Sequence, residues 1–230
     1  MSKNLLRQSG GWIALVAGSL EILGLIFLML FFALELPQSI ASTLRFGYLS
    51  DVTPIIVAPI NLTVIVILFM LQRKDSPTLS AIAVILGTAG ILTTAWTNIM
   101  FVSGEILLEK QIQLFYISMA FLGPWHILVN ALARRNCLLP FRLATFGVLV
   151  GVGQLIMLVS ALTLGWYDQM PSYTFAEIMK DIRLLISLAI SIPATLFGYL
   201  GAPIWLVWLG RTLVSGNQTI LSPHKLEARS

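Results

Sequence analysis

Five polar side chains in this 230-residue chain can do chemistry, and each stands inside a long apolar run: Glu21, Asn61, His126, Asn130 and Gln154. A carboxylate and an imidazole can pass protons, hold a ligand or bond helices together, whereas the three amides can do only the last two. An acidic residue at the centre of a lipid-embedded helix costs roughly 2.5–3.5 kcal/mol on insertion scales, so Glu21 has to be paired, neutral or in use.

The surrounding runs decide how these groups are positioned. The chain is 57% hydrophobic and only 10% charged, where a soluble domain carries about a quarter charged residues. Mean hydropathy is +0.90. A surface this apolar cannot face water, so lipid is the expected solvent. Crossing a ~30 Å hydrocarbon core takes about 20 helical residues. Six segments qualify: 12–34, 54–72, 79–102, 112–133, 143–165 and 183–210. The first follows "MSKNLLRQ" and is too long for a cleaved signal, so it reads as a retained helix. The sixth carries Pro193 and Pro203 and is expected to be kinked or tilted. The fold class is therefore all-α: a polytopic bundle of six transmembrane helices in one domain over 1–230, ending in a short tail at 211–230.

Charge sets the expected orientation. Lys3, Arg7, Arg73, Lys74, Arg134, Arg135, Arg142, Arg211, Lys225 and Arg229 fall on one side, while Arg45, Lys110, Lys180 and Arg183 fall on the other. Ten against four places both termini in the cytoplasm by the positive-inside rule. Trp12, Trp205 and Trp208 are expected near the inner interface and Trp166 near the outer one. Neither long outer connection, 35–53 or 166–182, can hold a domain. In the second, Phe175, Ile178, Met179 and Ile182 share one helical face, which predicts a short interfacial helix.

Small residues at four-residue spacing mark faces where helices touch. Such stripes are Gly10, Ala14, Gly18 leading to Glu21; Ala83, Gly87, Thr94 leading to Asn98; Gly147, Gly151 leading to Gln154; and Ser187, Ser191, Thr195. At 1.5 Å per residue, Glu21 lies about 14 Å from Trp12, His126 about 12 Å from Arg134, Asn61 about 17 Å from Gln72 and Gln154 about 18 Å from Arg142. All four thus approach the midplane, and Asn130 sits one turn from His126 on the same face. A Glu21–His126 pair is the expected partnership, because His126 is the sole histidine within a span. The alternative is a neutral Glu21 bonded to Asn61 or Gln154 as interhelical glue. Pro124 removes a backbone donor just before His126, so His126 or Asn130 can instead serve a freed carbonyl. Pro54 and Pro59 raise the same alternative for Asn61.

Familiar chemical signatures are missing from the sequence. "GVGQL" at 151–155 lacks the third glycine and preceding strand of a dinucleotide fingerprint, and no HExxH, GxSxG or phosphate-binding loop occurs. Two histidines and a lone Cys137 leave no ready metal cage or disulfide. No catalytic residue, metal or cofactor is therefore assigned. The expected partners are the lipid bilayer, a small molecule or lipid held in the bundle, or a partner membrane subunit, with no nucleic acid.

Two stretches carry a family likeness: "GPWHILVNALARRNCLLPFRLATFGVLVGVGQLI" at 123–156 and "GAPIWLVWLGRTL" at 201–213. A helix ending in basic residues, an "LP" turn and a glycine-bearing helix resemble an uncharacterised family of bacterial six-helix integral membrane proteins, of the domain-of-unknown-function kind. The resemblance covers the general plan of nearly the whole chain and implies a bacterial inner membrane. It transfers no catalytic residues. Three functional readings follow: a non-enzymatic binding or accessory membrane protein, which the missing motifs favour; a small proton-coupled transporter using Glu21 and His126; and an intramembrane enzyme with His126 as acid or base.

Overall fold

The computed structural model describes residues 3–35, 45–163 and 182–215. Among these, every regular element is helical. Helix α1 (Lys3–Leu30) runs into a π turn at Phe31–Glu35, and α2 (Phe46–Gln72), α3 (Pro77–Val102), α4 (Leu108–Arg135) and α5 (Phe141–Thr163) follow. Helix α6 (Ile182–Thr195), a π turn at Leu196–Leu200 and α7 (Gly201–Ser215) complete a sixth long segment. Among the described residues, six helices are long and apolar enough to cross a membrane. The π turn lies between Pro193 and Pro203, the two prolines of this segment.

Local chemistry explains several boundaries. Pro77 opens α3 at a position where no N–H is needed. Arg134 and Arg135 occupy the last turn of α4, where positive charge suits the helix dipole. Helix α2 begins at Phe46, eight residues ahead of the expected 54, because Glu35 caps its first turn. The Glu35 carboxylate accepts from the Phe46 N–H at 2.6 Å and the Gly47 N–H at 3.1 Å. An anion at a helix N-terminus satisfies donors that have no intrahelical partner. Pro54 and Pro59 consequently lie inside α2.

Consecutive helices pack antiparallel, and the last returns to the first. Gly10 of α1 meets Ile67 of α2, and Gly24 meets Thr53. Across the closing seam, Gly11 meets Gly210 and Gly18 meets the Pro203 carbonyl. Helices α1 to α5 therefore form a ring that α6 and α7 close, α6 against α5 and α7 against α1. Lys3 and Ser215 share one end. Glycine pairs let the backbones touch: a Cβ on Gly153 would stand 2.7 Å from the Gly198 nitrogen, and one on Gly151 would stand 2.5 Å from the Gly123 carbonyl. The ring's outside is apolar, with Ile85 67% and Trp96 62% exposed.

Most of the small-residue stripes do face neighbours. Ala14 is wholly buried, and Gly10, Gly18, Ala83, Gly87, Gly147, Gly151 and Ser191 are buried too. Thr195 is exposed instead. The side chain of Ser187, the expected interfacial helix and Trp166 lie outside the described residues. Trp205 is not an interfacial residue: its side chain is completely buried. Trp12 and Trp208 are exposed.

Packing differs along the bundle. Toward the end shared by the termini, the inward faces carry fully buried Ile65, Leu68, Leu143, Trp205 and Leu209. Toward the opposite end, no residue of α1 beyond Gly18 is buried, and residues 51–55 and 111–117 are all half-buried whichever way they face.

Candidate functional site

Three polar groupings span the interior, and they differ in how wet they are. The deepest joins α4, α5 and the α6–α7 turn. Gln154 donates from Nε2 to the Gly198 carbonyl at 3.2 Å, which turns its Oε1 toward His126 Nδ1 at 3.0 Å. His126 Nδ1 also lies 3.0 Å from the Leu122 carbonyl. Both partners are acceptors, so Nδ1 carries the proton and Nε2 the lone pair. Asn130 donates to the His126 carbonyl at 2.8 Å and accepts from Trp205 Nε1 at 3.0 Å. The His126 ring packs edge-on against Trp125 and Trp205, with centroids 4.5 Å and 5.2 Å away. His126, Asn130, Gln154 and Trp205 are all buried.

Backbone irregularity explains Gln154. In π register the Gly198 carbonyl would accept from residue 203, which is proline and has no N–H. The Gln154 amide supplies the missing donor. Near Pro124, His126 and Asn130 also reach backbone carbonyls, those of Leu122 and His126. Nearby, Gln72 reaches from α2 to the Val129 carbonyl at 3.0 Å and is likewise buried.

The second grouping answers why Glu21 is tolerated. Asn61 Nδ2 donates to Glu21 Oε1 at 2.6 Å, tying α1 to α2. Glu21 is therefore bonded to Asn61 and not to His126, whose Nδ1 is taken up by Leu122 and Gln154. The physical reason is topology: α1 packs on α2 and α7, whereas α4 packs on α3 and α5. Glu21 and Asn61 are half-buried, and the Asn61 Oδ1 atom is enclosed with no hydrogen-bond partner.

The third grouping lies toward the looser end. Gln111 Nε2 donates to Asp51 Oδ1 at 3.0 Å and to Asn98 Oδ1 at 3.2 Å, linking α4 to α2 and α3. Tyr199, on the π turn, stands in the electrostatic field of both Glu21 and Asp51. Its ring meets Phe115 edge-on at 5.6 Å, and Phe115 meets Tyr116 at 5.7 Å. Asp51, Gln111, Phe115, Tyr116 and Tyr199 are half-buried. Contacts of Gly10 with Ile67 and of Gly24 with Thr53 put the Glu21 backbone level with residue 56, about 7.5 Å along the axis from Asp51. Tyr199 thus stands near both the second and the third grouping.

Of the five sequence candidates, the structure brings His126, Asn130 and Gln154 into one network and Glu21 and Asn61 into another. Sequence reasoning missed Asp51, Gln111, Tyr199, Gln72 and Trp205 as interior residues. A usable signal existed for Gln111, since Asn98 and Gln111 flank a short turn between antiparallel helices. A cleft of about 600 Å³ between α5 and α6 is lined by Val152, Ile156, Val159, Ser160, Ile186 and Ile190, and it includes none of these polar residues. Comparison with family models, with curated proteins and with solved structures returned no match.

Proposed function

We infer that this chain is a non-enzymatic binding protein of a bacterial inner membrane, with both termini in the cytoplasm, that holds a small molecule at Glu21. The observation carrying this reading is the contrast between the polar layers. His126, Asn130 and Gln154 are buried, mutually bonded and packed between tryptophans, the condition of structural glue. Glu21, Asn61, Asp51, Gln111 and Tyr199 are half-buried on four separate helical segments, and each acid has one amide partner. Ionisable residues kept inside a bundle are default candidates for function. The packed surroundings of His126 leave no room for a substrate, which weighs against an acid–base role there. The ten-to-four distribution of basic residues supports the orientation.

The test is native mass spectrometry of protein extracted gently from its own membrane, beside a Glu21→Gln sample. A small-molecule mass retained by the wild type and lost from the variant is the expected result. Equal retention by both, or retention of a protein subunit alone, overturns the reading and makes Glu21 purely structural.

A further inference from the structure

The turn between α4 and α5 carries three exposed arginines, Arg134, Arg135 and Arg142. We propose that it holds the phosphate of an anionic lipid headgroup, in the leaflet at the end shared by the termini. The positive-inside bias explains how many basic residues stand at that end, but not how these three are left. First, nothing in the protein neutralises them. No acidic residue occurs between Glu109 and Asp168, and none of the three arginines is in an ion pair with a described residue. Second, they are not needed to cap α4. The Leu132, Ala133 and Arg134 carbonyls already accept from the N–H groups of Asn136 at 2.9 Å, Leu138 at 2.8 Å and Cys137 at 3.2 Å. That closure puts Cys137 in left-handed backbone, at φ 49°. Third, the turn adds further donors. Asn136 is half-buried, and its Nδ2 has no acceptor in the protein. Pro140 precedes α5 and has no side-chain acceptor, so the first-turn N–H groups of α5 are uncapped. Guanidinium forks beside amide donors are complementary to phosphate oxygens. The other basic turn at this end, Arg73–Lys74, is followed directly by Asp75 and so has its own counter-charge.

Free phosphate shares this chemistry, but the surface fits a lipid. The Arg134 guanidinium lies 4.2 Å over the Phe141 ring, and that ring is 59% exposed where the apolar span meets the turn. Charge and apolar surface therefore stand side by side, as they do in a lipid.

The test is native mass spectrometry of the full chain in octyl tetraethylene glycol micelles, titrated with dioleoyl phosphatidylglycerol or with zwitterionic dioleoyl phosphatidylcholine. The expected result is one phosphatidylglycerol retained where phosphatidylcholine is stripped. Removing one arginine should weaken it about fivefold, and Arg135→Gln with Arg142→Gln about thirtyfold. Both side chains are exposed, so the fold should be unaffected. Arg73→Gln with Lys74→Gln removes the same charge from the other turn and should leave retention unchanged. Glu21→Gln should also retain the lipid, which makes the outcome independent of the reading of Glu21. Equal loss in the two double variants shows only a net-charge effect and overturns the proposal, as does equal retention of phosphatidylcholine. Displacement of the lipid by an equal concentration of inorganic phosphate overturns the assignment to a lipid.

Discussion

Replacing Gln154 with leucine tests the account of the buried layer most directly. Leucine has nearly the volume of glutamine, so little cavity results, and the change isolates two hydrogen bonds. The Gly198 carbonyl loses its 3.2 Å donor, and the residue that would replace it in π register is Pro203. His126 loses Gln154 Oε1 but keeps the Leu122 carbonyl, so that half of the loss is partial. Leaving a buried group unsatisfied costs about 1–3 kcal/mol, while interhelical hydrogen bonds measured in a membrane bundle average about 0.6 and reach about 1.7 kcal/mol. One full and one partial loss place the expected destabilisation at about 1–3 kcal/mol. Reversible unfolding by SDS in mixed micelles, followed by circular dichroism and tryptophan fluorescence, measures it. A double-mutant cycle with His126→Leu should show coupling above about 0.5 kcal/mol, because the two side chains touch. A Gln154→Leu protein as stable as the wild type, or strictly additive with His126→Leu, refutes the reasoning: the carbonyl would then have another donor, and the network would not hold α5 to its neighbours.

Other outcomes follow from the same geometry. Gly153→Ala places a Cβ 2.7 Å from the Gly198 nitrogen and 2.9 Å from the Ala194 carbonyl. Both are backbone atoms that cannot swing aside, so a loss of about 1–3 kcal/mol is expected in the SDS titration. Trp205→Phe removes the Nε1 donor to Asn130 and should destabilise by about 1–3 kcal/mol, with a drop in intrinsic fluorescence and a shift of its maximum. Cys137, the sole cysteine, is exposed at the end shared with the termini; a membrane-impermeant maleimide should label it only in inverted vesicles, and labelling in intact cells would reverse the orientation.

The count of long helices was legible from apolar run length, and their boundaries came within a few residues wherever a proline or basic pair marks the turn. The start of α2 was not legible. Its early turn is set by Glu35, eleven residues away in sequence, and a charge that caps a helix across a connection leaves no periodic trace. The π turn at Leu196–Leu200 escaped for a similar reason: proline announces a broken ladder, not the register in which it is repaired. Trp205 was misplaced because tryptophan near a helix end is ordinarily interfacial, whereas here its ring closes the space between α4 and α7 and its N–H is absorbed by Asn130.

The pairing of Glu21 shows where depth arguments stop. Four polar residues at similar depth suggest one cluster, and equal depth is what sequence can measure. Adjacency depends on the order of helices around the ring. In a sequential antiparallel ring of six, the first and fourth helices lie across from each other, and the aromatic rings of Trp125 and Trp205 fill the space between. Neighbouring helices therefore pair first: α1 with α2 through Glu21 and Asn61, α4 with α5 through His126 and Gln154. The same rule separates a dry layer from a loosely packed one. Where paired amides, an imidazole and large rings fill the centre, each polar group can find a partner inside the protein. Beyond that layer α1 contributes no buried residue after Gly18, and the two carboxylates are left with one amide bond apiece.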